Sequence, residues 1–210
     1  MNPLLLLDYS GIAVFAATGA LAASRKELDL IGFIFLAGIT GMGGGTLRDL
    51  IIDAPVFWIL NPTYIVICAL VAVLVFFTAP MVEYRYRLLL WFDAVGLAAY
   101  SVLGAAKGLV ASGSATVALV TGILTATFGG VLRDVVAGEP SVLMRPEVYV
   151  SAALVGAAVF TGMDIAGVDG TIAALVAFAA AFLVRGGAIR YGWTIPRYRP
   201  RPGRPPEELQ

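Results

Sequence analysis

The sequence lacks the residues on which most soluble enzymes depend. It contains no histidine and a single cysteine, Cys68, which lies in the apolar run ICALVAVLVFF. Without histidine there is no side chain that ordinarily titrates near neutral pH, so His-based acid–base catalysis is excluded. A lone cysteine also excludes an internal disulfide and, without histidine, any His/Cys metal site. We therefore expect no cofactor and no resident metal ion.

Charge is also scarce. Only 13% of the 210 residues are charged, 14 Lys and Arg residues balance 14 Asp and Glu residues, and 60% of the chain is hydrophobic. The mean hydropathy is +0.90. A water-soluble fold of this size cannot hide so much apolar surface, and a chain without excess charge would be insoluble outside lipid. The composition therefore predicts a lipid bilayer as the main partner, and no nucleic acid.

Long apolar runs predict an all-α integral membrane protein. A helix needs about 20 mostly apolar residues to cross about 30 Å of hydrocarbon. The runs are twice the length of a barrel strand and do not alternate, so a β-barrel is not expected. The first run has no basic residues before it and is interrupted by Asp8, so it should remain as a helix rather than be cleaved. Seven runs meet the description, near residues 4–23, 30–52, 62–80, 88–107, 114–137, 148–165 and 168–186.

The basic residues predict the orientation of these spans, because Lys and Arg concentrate in short cytoplasmic loops. With the amino terminus outside, the outer loops hold only Lys107. The carboxyl terminus is then cytoplasmic, as an odd number of spans requires. The cytoplasmic set is Arg25, Lys26, Arg85, Arg87, Arg145, Arg185, Arg190, Arg197, Arg199, Arg201 and Arg204.

The carboxyl-terminal segment, residues 187–210, is rich in Pro, Gly and Arg and is not expected to pack as a further span. Its basic residues either enforce the topology or contact anionic lipid headgroups, and both interpretations stay open.

An internal repeat divides the chain. A shift of 85 residues aligns TGMGGGTLRDLIIDAP with TATFGGVLRDVVAGEP without a gap, and places Asp8 on Asp93 and Tyr64 on Tyr149. Each copy holds three spans, so the second copy must enter the membrane from the opposite face. Inverted repeats of this kind are typical of transporters and channels, which favours a transport function. We predict two inverted repeats at 1–86 and 87–166, a seventh helix at 167–186 and a basic, Pro-rich cytoplasmic tail at 187–210.

Adjacent glycines interrupt the second span of each repeat. One hypothesis is a kink or unwound turn beside a polar path, where irregular backbone is tolerated at membrane depth. The other is close packing of helices through a small-xxx-small pattern, and the two are compatible. A kink in the pore predicts that alanine at Gly44 or Gly129 reduces conduction without loss of assembly. The candidate kink positions are Gly43, Gly44, Gly45, Gly129 and Gly130.

Charged residues inside spans are costly and mark candidate functional positions. We expect Asp8 to pair with Arg48 and Asp93 with Arg133, because each pair lies at matching depth and a lone buried charge would be unfavourable. Neighbours such as Arg48 and Asp49 point about 100° apart on a helix, so Asp49 and Asp134 should need other partners. These groups either flank the two mouths of a polar path or form structural ion pairs. The set is Asp8, Arg48, Asp49, Asp93, Arg133 and Asp134.

The double motif, GMGGGTLRD at 41–49 and TFGGVLRD at 127–134, resembles the bacterial branch of the trimeric intracellular cation (TRIC) channel family. Its repeat unit also resembles the three-helix module of a bacterial membrane family called glycine-transporter-like. The resemblance covers about residues 4–186. It implies a bacterial inner-membrane homotrimer with one pore per subunit, narrowed where the glycines of the second and fifth helices meet. It also implies conduction of monovalent cations, chiefly potassium.

Two transport functions follow. The first is a potassium-permeable channel, and the alternative is a secondary transporter of glycine or another small zwitterion, whose ammonium and carboxylate could bind Asp and Arg. An intramembrane enzyme is not expected, because histidine and any catalytic Ser or Asp motif are missing.

Overall fold

The chain is described by a computed structural model for residues 3–82 and 84–196, with side chains from Leu7 onward. Over these residues the structure is α-helical, apart from an isolated β-bridge between Glu147 and Thr194. Short 3-10 turns at Ala79–Met81 and Val142–Met144 interrupt the connections. The helices are α1 (Pro3–Arg25), α2 (Leu30–Ile51), α3 (Phe57–Leu60), α4 (Thr63–Thr78), α5 (Arg85–Ser112), α6 (Ala115–Val136), α7 (Val150–Ile165) and α8 (Gly170–Tyr191).

Polar residues set several helix boundaries. The Asp29 side chain accepts a hydrogen bond of 2.8 Å from the Gly32 amide at the start of α2, and Asp169 caps α8 in the same way. Such acceptors satisfy amides that have no partner within the first turn. At the other end, Gly113 closes α5 in the left-handed conformation with φ +65°. These caps explain the abrupt turns between long apolar segments.

In the described part of the chain, six helical segments are long and apolar enough to cross a membrane, where α4 is counted together with the 3-10 turn that follows it (Thr63–Met81), and α7 is a shorter apolar helix of 16 residues. The prediction of an all-α integral membrane protein is therefore confirmed. Two helices extend beyond the spans predicted from the sequence. Helix α5 begins at Arg85 and ends at Ser112, and α8 continues past residue 186 to Tyr191. The reason for the second extension is packing, because the Trp193 ring folds back to lie against Gly187.

Helix α5 lies at the centre of the bundle and contacts α1, α6, α7 and α8. Small residues line its contacts, since Ala98, Ala99 and Gly104 are buried and allow close approach of neighbouring helices. Helix α4, by contrast, exposes Leu70, Leu74 and Phe77 on its outer side. An apolar exterior around a core of small residues is the pattern of a helix bundle in lipid.

The two copies of the repeat contact each other reciprocally. Phe15 and Tyr100, which are 85 residues apart, stack with ring centroids 5.3 Å apart and planes 6° apart. Gly44 of α2 lies against the carbonyl of Thr125 in α6, and the equivalent Gly129 of α6 lies against the carbonyl of Thr40 in α2. Contacts exchanged between equivalent residues are what a two-fold relation between two units produces.

Candidate functional site

A buried polar cluster lies beyond the last glycine of α2. Arg48 donates from Nε and Nη2 to Oδ1 of Asp49, at 2.8 and 2.7 Å, and both side chains are 2% exposed. The second carboxylate oxygen of Asp49 accepts a hydrogen bond of 2.9 Å from the backbone amide of Phe57 at the start of α3. Asp49 therefore neutralises Arg48 and also fixes the segment that follows α2. We call this set, with Asp8 and Tyr64, the first polar cluster.

The second polar cluster occupies the equivalent place beyond the glycines of α6. Arg133 Nη1 lies 2.7 Å from Asp93 Oδ1, and Nη2 lies 2.9 Å from Asp134 Oδ1. Asp134 Oδ2 accepts a hydrogen bond of 2.9 Å from the Val142 amide, which begins the 3-10 turn. One guanidinium thus holds two carboxylates, and the Asp-to-amide spacing of eight residues matches that of the first cluster.

The expected pair of Asp93 with Arg133 is confirmed, but the expected pair of Asp8 with Arg48 is wrong. Asp8 instead accepts a hydrogen bond of 2.7 Å from the Tyr64 hydroxyl of α4. Arg48 is satisfied by its sequence neighbour Asp49. The 100° argument failed because the long arginine side chain can bend around the helix to a short carboxylate that is held in place by a backbone amide.

The glycines lie where α2 and α6 cross. Both helices are continuous through these positions, which excludes an unwound turn, while a kink stays a prediction. A Cβ on Gly44 or Gly129 would overlap a backbone carbonyl oxygen of the other helix. A Cβ on Gly43 would lie 2.7 Å from Leu132 Cδ1, and one on Gly45 or Gly130 would strike Phe57 or Tyr149. The glycines therefore allow a close helix crossing.

This crossing separates the two polar clusters. Residue 44 of α2 meets residue 125 of α6, while residue 40 meets residue 129, so the helices run antiparallel. Arg48 lies beyond the crossing in one direction and Arg133 lies beyond it in the other. The structure thus brings all the predicted charged residues into two groups with the predicted glycines between them.

Sequence reasoning missed two cations that belong to these groups. Arg185 of α8 is 1% exposed, donates to Glu147 Oε2 at 2.8 Å and lies 5.0 Å from the centre of the Tyr149 ring. Lys107 of α5, which the sequence assigned to an outer loop, lies 5.7 Å from the centre of the Phe57 ring. Each lies at the edge of a predicted span, so neither stood out from an ordinary loop or tail residue.

The loops that carry basic residues meet at the end of the bundle near the second polar cluster. Glu139, between α6 and α7, forms ion pairs with Arg25 at 3.4 Å and Lys26 at 3.1 Å. The hydrogen bond from Lys26, aided by the charge of Arg25, lowers the pKa of the Glu139 carboxyl. Tyr86 and Arg145 are hydrogen-bonded at the same end. These contacts tie the α1–α2 turn and the start of α5 to the α6–α7 connection.

Comparison with known proteins matches this architecture. The family model described as "Glycine transporter" matches twice, at residues 5–80 and 90–165, with the same offset of 85 residues. A solved structure, described as the TRIC trimeric intracellular cation channel orthologue from Rhodobacter sphaeroides, is similar with a TM-score of 0.89 and 46% identity. The similarity covers 92% of this chain and 100% of that one.

Curated relatives extend over most of the chain. A UPF0126 membrane protein of Vibrio cholerae is 36% identical over 93% of this chain and 82% of its own length. The UPF0126 inner membrane protein YadS of Escherichia coli is 34% identical over 91% of this chain and 94% of its own length.

Fold, site and comparisons define the class as a multi-pass α-helical membrane protein of the inner-membrane type with a duplicated unit. More particularly, the chain belongs to the bacterial TRIC family, whose repeat is the unit that the glycine transporter model describes. The matched proteins are named as membrane proteins and cation channels. The prediction that the chain is not an enzyme is confirmed by this membership.

Proposed function

We propose that this protein is a channel for monovalent cations, permeable to potassium, with one pore in each subunit of a homotrimer. The observation that carries the proposal is the placement of two buried charged clusters on opposite sides of the glycine crossing of α2 and α6. Intramembrane charges at both ends of one helix pair mark a polar path. The similarity to a TRIC cation channel at 46% identity supports the same function.

We further propose seven spans, formed by two inverted three-helix repeats, α1–α2–α4 and α5–α6–α7, and by α8. The repeat boundaries predicted at 1–86 and 87–166 are kept in this proposal. At 1.5 Å per residue the 16 residues of α7 extend about 24 Å, and in this proposal the residues on either side of it complete the crossing. The basic residues in the loops favour a cytoplasmic carboxyl terminus and an amino terminus outside the bacterial inner membrane, and we propose this orientation.

In this proposal the structure is the closed conformation of the channel. Gly44 touches the Thr125 carbonyl and Gly129 touches the Thr40 carbonyl, which leaves no room for an ion between α2 and α6 at that level. Conduction then requires the two helices to separate at the crossing.

The balance of charge in the clusters favours cations. Each cluster has two carboxylates and one guanidinium, since Asp8 and Asp49 accompany Arg48, and the second cluster repeats the pattern. The carboxylates offset the unfavourable effect that arginine alone would have on cations. Lys107 adds a positive charge near the first cluster, whereas Arg185 is neutralised by Glu147. We propose that the second cluster contributes more to cation selectivity.

Purified protein in a planar bilayer under a potassium gradient tests the channel. The expected result is unitary current that reverses near the potassium equilibrium potential.

The second candidate, a carrier for glycine or another small zwitterion, is favoured by the description of the matching family model. Saturable uptake of labelled glycine into liposomes, without unitary current, would support the carrier and refute the channel.

We also propose that the basic carboxyl-terminal tail contacts anionic lipid headgroups, at about 1 kcal/mol for each basic residue near the surface. The arginines that carry this proposal, Arg197, Arg199, Arg201 and Arg204, lie outside the described residues.

A further inference from the structure

A polar cleft opens where α1 ends and α5 begins, away from the crossing of α2 and α6. It has a volume of about 650 Å³ and is lined by Arg25, Arg85 and Arg87 together with Tyr84 and Tyr86. Among the described residues, no carboxylate lines this cleft. Glu83 lies outside the described residues. Three guanidinium groups and two phenol rings therefore surround one opening at the membrane surface, and one of the three, Arg25, is already paired with Glu139.

An apolar cleft of about 340 Å³ adjoins the polar one, and Pro80 and Arg85 line both. Phe33, Phe76 and Phe77 form its apolar wall. The Phe77 side chain is 68% exposed on the outer side of α4, which faces lipid in the proposed topology. Glu27, also exposed, is the acidic residue at its margin. The wall of this cleft thus continues from the polar opening along the hydrocarbon-facing surface of the bundle.

Arg85 is held rigidly between the two clefts. Its Nε donates to the Ala79 carbonyl at 3.0 Å and its Nη1 to Ser24 Oγ at 3.1 Å. These bonds leave Nη2 free to donate to a ligand, because a guanidinium carries five donor hydrogens. Arg87 is exposed and has no hydrogen bond or ion pair with any residue in the described part of the chain. One fixed and one adaptable guanidinium suit a phosphate group, which arginine recognises through paired hydrogen bonds.

We propose that the two clefts together bind one anionic phospholipid. Its phosphodiester lies at Arg85 and Arg87, its headgroup lies beside Tyr84 and Tyr86, and an acyl chain follows Phe76 and Phe77. A free phosphate would use only the polar half of this surface, whereas a lipid uses both halves. Basic residues at the cytoplasmic surface with tyrosine beside them match the chemistry of an anionic leaflet. The choice of leaflet rests on the orientation proposed above, but the binding site does not.

Native mass spectrometry of the delipidated protein in detergent tests the site. Phosphatidylglycerol and phosphatidylcholine with the same acyl chains are titrated against wild type, Arg87→Gln and Phe77→Ser. The control is Arg190→Gln, which removes an exposed arginine from the last turn of α8, outside both clefts. Thermal unfolding of each variant without lipid checks the fold. These exposed side chains are expected to leave the midpoint unchanged.

We expect one phosphatidylglycerol per subunit to bind in preference to phosphatidylcholine. Arg87→Gln should lower the affinity for phosphatidylglycerol about fivefold, because one basic contact with an anionic lipid is lost. Phe77→Ser should weaken the binding of both lipids, and Arg190→Gln should weaken the binding of neither. Equal affinity for the two lipids, or equal loss in the control, would overturn the proposal. Displacement of the lipid by millimolar inorganic phosphate would instead show a site for free anions. A protein that binds the lipid but carries no current would refute the channel and leave this site intact.

Discussion

Alanine at Gly44 tests the role of the helix crossing most directly. The added methyl group would overlap the carbonyl oxygen of Thr125 and lie 3.0 Å from its carbonyl carbon. Carbon atoms in ordinary contact are about 3.5–4.0 Å apart, so α2 and α6 must separate by on the order of 1 Å. The obstacle is backbone and cannot rotate away. Overpacking of this kind costs about 1–3 kcal/mol in the closed conformation.

This cost changes the balance between closed and open states. A difference of about 1–3 kcal/mol corresponds to a factor of about 5 to 150 in a two-state equilibrium. We therefore expect Gly44→Ala to raise the open probability in planar bilayers and to lower the thermal unfolding midpoint. Trimer content should be unchanged, because the contact lies within one subunit. A reduced conduction with intact trimers is the result that a kink in the pore predicts, and it would contradict the packing argument.

Two further variants make the test specific. Gly129→Ala should behave like Gly44→Ala, because its methyl group would overlap the Thr40 carbonyl oxygen in the reciprocal contact. Gly38→Ala is the matched control on the same helix, since the nearest atom to its methyl group would be Met42 Cε at 3.5 Å. Wild-type open probability and stability in both crossing variants would refute the reasoning. So would an equal effect in the control.

Three other predictions follow from topology, charge pairing and pH. Cysteine at Thr171 should be labelled from outside intact cells and cysteine at Gly203 should not; the reverse pattern would refute the proposed orientation. Arg133→Ala should destabilise the protein by about 3–5 kcal/mol, because it leaves buried carboxylates uncompensated. Asp93→Asn should restore part of the loss, and a coupling near zero in a double-mutant cycle of thermal unfolding would contradict the contact. Glu139 has a lowered pKa in the folded state, so its contribution to stability is present above its ordinary pKa and is lost as pH falls through the lowered one. Glu139→Gln should therefore flatten the acid limb of the stability curve, and an unchanged limb would exclude this role.

The sequence predicted the membrane class and the duplication of one unit correctly, because both depend on local or periodic patterns. Apolar runs of helical length can be read without knowing their neighbours. The 85-residue shift, which the family model reproduces, depends only on self-similarity. The pairing of Asp93 with Arg133 was also predicted correctly from two opposite charges at one depth on adjacent helices, although the same reasoning failed for Asp8 and Arg48.

The tertiary structure determined the hydrogen-bond and ion-pair partners of the other charged side chains. Asp8 bonds to Tyr64 rather than to Arg48, because α4 brings a hydroxyl to the carboxylate and Asp49 already satisfies the guanidinium. Arg185 joins the second cluster through a helix that has no counterpart in the first repeat. These choices depend on distances between segments that are far apart in the chain, and hydropathy carries no information about them.

For the glycines, too, the sequence predicted one part and the tertiary structure determined the other. Their position in mid-helix was plain from the sequence, which left kinking and packing as compatible hypotheses. The structure shows the packing role, because Gly44 and Gly129 each face a backbone carbonyl of the other helix where α2 and α6 cross, and the kink stays a prediction. A run of glycines indicates that another part of the protein packs closely against the helix, and only the fold determines which atoms those are.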